Sequence, residues 1–105
     1  MRTNAIFDTY RRETSSGKRQ YDTDKTITNG VGYIEPLDGT LKAVLGLDYA
    51  VKAYSLLSKE GDFEKYDKLT ITFPSGYAGT YYIEVVEKIL INDLSHNKIL
   101  LKQDV

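Results

Sequence analysis

The clearest alternation in the chain is residues 68 to 87, KLTITFPSGYAGTYYIEVVE. Leu69, Ile71 and Phe73 fall on one side of an extended chain, and Lys68, Thr70 and Thr72 on the other. After Pro74-Ser75-Gly76-Tyr77-Ala78-Gly79, the residues Tyr81, Ile83 and Val85 resume one face. The stretch predicts two strands, Lys68–Phe73 and Thr80–Lys88, joined by a turn. Upstream, VGYIEPL predicts a strand over Val31–Leu37, with Pro36 holding Glu35 extended and limiting pairing. DYAVKAYSLL predicts a strand over Tyr49–Leu57, with Tyr49, Val51 and Ala53 on one face and Lys52 and Tyr54 on the other. KILLKQ closes the series as Lys98–Lys102, after INDLSHN read as a turn. The predicted core is Leu69, Ile71, Phe73, Ile83, Val85, Ile99 and Leu101.

Two segments break the pattern. Residues 13–30 are rich in Ser, Thr, Gly and charge, and read as a polar loop or a weak hairpin tip. In DGTLKAVLGL, Leu41, Val44 and Leu45 stand at helical spacing, with Asp38 as N-cap and Gly46 as the stop. Two turns of helix form only by packing on something, so a short helix is placed in a central loop of about residues 38–48. The predicted fold is mainly β: one domain over residues 1–105, a small antiparallel barrel or sandwich of five to six strands carrying that helix. A barrel also removes exposed strand edges.

Composition narrows what such a domain does. A chain of 105 residues holds one core and little room for a large active-site cavity. With 41% hydrophobic and 28% charged residues it is expected to fold. It has no cysteine, which excludes a disulfide framework and thiolate metal sites and fits a reducing cytoplasm. No apolar run approaches bilayer length, and Met1-Arg2-Thr3-Asn4 opens no signal peptide, so no membrane role is expected. A formal charge of −1 argues against a DNA-coating protein, although residues 1–30 hold Arg2, Arg11, Arg12, Lys18, Arg19 and Lys25. Nine tyrosines beside three phenylalanines and no tryptophan suit half-buried β surfaces, or a surface that is largely interface.

Candidate chemistry is sparse. His96, in DLSHNK beside Asp93 and Ser95, reads as a solvated turn residue, since a catalytic relay draws its partners from separate segments. Asp22 and Asp24 lack the spaced ligands and the bidentate glutamate of a calcium loop. Glu84 and Glu87 are three apart, which on a regular strand places them on opposite faces. Neither catalytic residues, cofactor nor metal site is expected. Tyr81 and Tyr82 face opposite sides, and along the strand the tyrosines are not interleaved with Lys or Arg as a stacking surface requires. The segment 38–57, rich in Leu, Val, Ala and Tyr, is either a helix plugging the barrel or an insertion that packs on neighbouring subunits.

The order of segments resembles the head–tail joining family of tailed bacteriophages, the small stopper or adaptor proteins of the neck. The extended FDTYRRE, the polar SSGKRQYDTD, the strand ending GYIEPLDG, EKYDKLTI with its Asp67, the Tyr-x-Val-type TYYIEVVEK and the final SHNKILLKQ follow one another as in that family, over residues 6 to 102. The resemblance implies a non-enzymatic virion protein. It would form a homo-oligomeric ring beneath the portal, close the head after DNA packaging and dock the tail. Its implied partners are further copies of itself, a portal or adaptor protein and a tail-completion protein. The implied interface residues are Leu41, Val44, Leu45, Leu47 and Tyr49, and Lys42 and Lys52 would face the channel with at most weak DNA contact. Another tail-end or minor structural phage protein is the nearest alternative. A small barrel binding nucleic acid or a peptide is the alternative from a different class.

Overall fold

A computed structural model of the chain describes residues 3–13, 20–37 and 53–103. They form eight strands: β1 (Ala5–Tyr10), β2 (Arg12–Glu13), β3 (Gln20–Tyr21), β4 (Ile27–Pro36), β5 (Ala53–Ser58), β6 (Lys68–Phe73), β7 (Gly79–Ile91) and β8 (Leu94–Gln103). Six of them close an antiparallel barrel in the order β1-β4-β5-β8-β7-β6, and β2 and β3 pair as a separate two-stranded ribbon. The first strand completes the wall, because β1 pairs with β4 on one side and with β6 on the other. The alternation predicts a mainly β barrel or sandwich of five to six strands, and the fold is the barrel, with six; the expected helix at 38–48 lies outside the described residues.

Inside the barrel, Phe7, Ile34, Leu56, Leu69, Ile71, Tyr81, Ile83, Ile99 and Leu101 are fully buried. The core is small, and β4 makes room for it with glycines. A Cβ on Gly30 would stand 2.8 Å from the Phe7 ring and from Ile27 Cγ2, so the missing side chain is the space that Phe7 fills. Beside it β4 carries an extra residue, seen as a register shift opposite Phe7 and Thr9. Asn29 takes a left-handed conformation there (φ 52°), and its N–H donates to Asp8 Oδ1 at 2.9 Å. Strand β4 therefore starts at Ile27, inside the segment read as a polar loop.

Several sequence-based assignments are corrected. Phe73 is 57% exposed, because β6 carries an extra residue at Thr72: Ile6 pairs with Phe73 but Phe7 with Ile71, which turns Phe73 to the outer wall. Val85 is not on the core side. Strand β7 bulges at Glu84, where Ile83 pairs with Leu101 but Val85 pairs with Leu100, and Val86 takes over the inner position against Ile99. That bulge also resets the count that separated Glu84 from Glu87, so the opposite-face argument for the pair does not hold across it. His96 is only 2% exposed and lies within β8, pairing with Ile89. The turn in INDLSHN is only Asn92-Asp93, both at positive φ (51° and 63°), the two-residue hairpin geometry in which Asn and Asp are tolerated.

Tyr81 is the largest side chain of the core. Its hydroxyl donates to the Tyr77 carbonyl at 2.7 Å, and the Tyr54 ring meets the Tyr81 and Tyr77 rings edge-on at 5.5 and 5.2 Å. Burial, together with Tyr54 and Tyr77, pushes its phenol up to about 12. The folded state thus keeps a proton that the unfolded chain releases near the ordinary value of about 10. Stability should fall as pH rises through that window, from about 10 to about 12. Urea midpoints across the window check this: the drop should be shallower in Tyr81→Phe, and parallel curves would contradict it.

Candidate functional site

The loop of residues 59–67, between β5 and β6, is tied to the barrel by a charged cluster. Arg11, just past β1, reaches Asp62 at 2.6 Å, Glu64 at 3.2 Å and Asp67 at 3.2 Å. The Asp67 side chain is fully buried, and its carboxylate also accepts the N–H of Glu64 at 3.1 Å and of Arg12 at 3.3 Å. Burial pushes the Asp67 carboxyl up, against the pull of the Glu64 amide and of Arg11. The hydrogen bond to Asp62 holds the Arg11 guanidinium above its ordinary value. Phe63 packs on Phe7 with ring centroids 5.8 Å apart, and Asn97 Nδ2 donates to the Glu60 carbonyl at 2.6 Å. This is a structural clasp. All three carboxylates converge on the one Arg11 guanidinium.

His96 is buried within β8. Nδ1–H donates to the Leu94 carbonyl at 3.0 Å, and buried Nε2 meets no partner. Among the described residues no group of three or more His, Asp or Glu is arranged to hold a metal ion.

Two apolar surfaces stand out instead. Strand β7 leaves β6 after Ile83, and β8 leaves β5 before Asn97, so the β7–β8 hairpin runs on beyond the barrel as a two-stranded arm. The molecule is accordingly elongated, at 41 × 30 × 26 Å. Near the tip of the arm, Leu90 is 74% and Leu94 53% exposed. The second surface is on the barrel wall, where Phe73, Ile6 and Val31 pair in one cross-strand row over β6, β1 and β4, with Tyr33 following on β4. Phe73, Val31 and Tyr33 are all exposed.

A third surface carries rings and cations. Tyr10, Lys68, Tyr82 and Lys102 are successive partners across β1, β6, β7 and β8, on the outer side of the wall whose inner side holds Leu69, Tyr81 and Leu101. The Lys68 ammonium lies 4.5 Å from the Tyr10 ring centroid and 5.2 Å from that of Tyr21, and Tyr21 meets Tyr82 at 5.8 Å. Arg12, the ribbon partner of Tyr21, lies 5.2 Å from the Tyr66 ring, and Lys65 lies 4.9 Å from it. The sequence reading that tyrosines and cations are not interleaved is therefore corrected. The interleaving runs across strands, where neighbours along the chain do not reveal it.

The interface residues Leu41, Val44, Leu45, Leu47 and Tyr49, and the channel candidates Lys42 and Lys52, lie outside the described residues. No protein-family model, curated protein or solved structure matches the chain.

Proposed function

We propose that the protein is a structural component of the phage neck that assembles head to tail into a ring beneath the portal and closes the head. The observation that carries this reading is the uncovered arm. A hairpin tip with an exposed leucine on each face, and an apolar wall row, sit on different parts of one small barrel, and neither is buried by the described residues. Surfaces of that kind mark interaction sites, and two different patches that meet between copies build a rotating, head-to-tail assembly. The segment order described above is the second support, with Asp67 at the head of β6 as its buried hub. The central segment, with Leu41, Val44, Leu45, Leu47 and Tyr49, would add to subunit and portal contacts, with Lys42 and Lys52 turned to the channel. Tail docking would use the opposite rim, through a tail-completion protein.

The test is copurification with the portal protein encoded on the same genome, with the complexes viewed by electron microscopy. Rings on the portal are expected, and Leu90→Glu with Leu94→Glu should abolish them. Both side chains are exposed, so the barrel's own stability should stay within about 0.5 kcal/mol. A genome without a portal gene, or a wild-type protein that leaves the portal bare, would overturn the reading.

Closure on this reading is steric. The isolated protein, with its net charge of −1, should bind duplex DNA negligibly at physiological salt. Retention on duplex DNA across a salt series checks this, and submicromolar binding with a steep salt slope would contradict it.

A further inference from the structure

The ring-and-cation wall is not used by the assembly reading, and its chemistry differs from that of the two apolar surfaces. We propose that the face built from Tyr21, Tyr82, Tyr66, Arg12, Lys68 and Lys102 binds single-stranded nucleic acid. Three observations carry this. The first is the alternation itself: ring, cation, ring, cation across four adjacent strands, with Tyr21 of the ribbon against Lys68 and Tyr82 of the row, and its partner Arg12 over Tyr66. Strands lie about 4.8 Å apart, so Tyr10 and Tyr82, two strands apart, are separated by about 10 Å. A base that displaces a cation from over one of these rings would gain a ring face to stack on and leave the positive charge beside it for the phosphate.

The second observation is where the charges rest. Among the described residues, none of Arg12, Lys65, Lys68 and Lys102 forms an ion pair with a carboxylate. Three of the four lie over tyrosine rings. The exposed carboxylates of the loop before Tyr66, Asp62 and Glu64, are both held by Arg11. The wall therefore presents cations that are not tied up in ion pairs among the described residues, in a chain whose net charge is −1. The third is that Tyr66 is presented outward: it is 46% exposed, its φ is 74°, and its N–H is fixed to the Ile83 carbonyl at 2.7 Å. A non-glycine residue held at positive φ needs a surrounding structure that enforces it, here the buried Asp67 beside it.

Single strands are favoured over a duplex because a duplex hides the base faces that the rings would take. They are favoured over an acidic peptide because a peptide uses only the charges. Fluorescence anisotropy with a labelled 15-nucleotide oligothymidylate, its duplex with oligoadenylate, and a polyglutamate peptide separates the three. The single strand should bind several-fold tighter than the duplex. Its log affinity should fall with log salt at a slope of about −2 to −3, since each phosphate contact on a single strand contributes about 0.7.

Tyr66→Ala and Tyr82→Ala should each weaken binding about tenfold, the usual effect of losing one stacking platform. Lys68→Gln should flatten the slope by about 0.7. Tyr66 is exposed, so its replacement leaves a folded protein for comparison, with circular dichroism confirming the barrel. Because the wall lies apart from the tip of the arm, Leu90→Glu and Leu94→Glu should leave this binding unchanged, so it stands or falls separately from ring assembly. Equal affinity for polyglutamate, no binding at 50 mM salt (a condition chosen as roughly the low end of the usual range), or affinity unmoved by both tyrosine variants would each overturn the proposal.

Discussion

Replacing Asp67 by alanine is expected to destabilise the protein by about 3–5 kcal/mol, the usual cost of removing one partner from a buried ion pair. The change removes the acceptor for three donors at once, the Arg11 Nε–H and the amides of Arg12 and Glu64. Arg11 keeps Asp62 and Glu64, but the Glu64 amide loses its acceptor in the loop that carries Phe63 onto Phe7. Asp67→Asn keeps one acceptor oxygen and should cost less, about 1–3 kcal/mol. Asp62→Ala removes only an exposed partner of Arg11 and should cost under about 1 kcal/mol. Urea unfolding of the isolated protein ranks the three. If Asp67→Ala proved as mild as Asp62→Ala, the clasp would not be what holds the loop.

Truncating the barrel core should cost nearly as much. Ile71→Ala and Ile83→Ala are each expected to lose about 2–5 kcal/mol, combining lost burial with the cavity left behind. Both side chains are fully enclosed, and in a six-stranded barrel the opposite wall is too close for the space to be filled by relaxation of one strand. Phe73→Ala, in the same alternating stretch as Ile71, should cost less than about 1 kcal/mol because its ring is already mostly in water. The contrast within one strand makes the test sharp. A large loss at Phe73 with small losses at Ile71 and Ile83 would mean the inner and outer faces had been exchanged.

Where alternation is uninterrupted, the sequence reads well. Strand β6 has the bounds Lys68–Phe73 that its pattern predicts, and Leu69, Ile71, Ile83, Ile99 and Leu101 are core as expected, while the extra residue at Thr72 turns Phe73 outward. Errors begin where a local event changes the count. A bulge at Glu84 shifts every later residue of β7 by one, and no residue type there announces it. Asn92-Asp93 was legible as a turn, but two consecutive left-handed residues make it the tightest kind, so Ser95, His96 and Asn97 belong to the strand. The ring-and-cation wall was the least legible feature. Tyr10, Lys68, Tyr82 and Lys102 are far apart along the chain, and only the register brings them into a row. The tyrosine count was the available signal, and it named no position.

The bulge in β7 has a consequence for assembly. Glu84 sits where the strand leaves the barrel wall, so the extra twist a bulge introduces is applied at the root of the arm. On the assembly reading, that root sets the angle at which each copy meets the next. A repeated angle either returns to its starting point after a whole number of copies or winds into an open filament. One residue at the base of a hairpin then acts as the curvature setting of the whole particle. Deleting Glu84 would leave the apolar tip intact while aiming it elsewhere, and electron microscopy should show filaments or rings of altered size in place of the native closure.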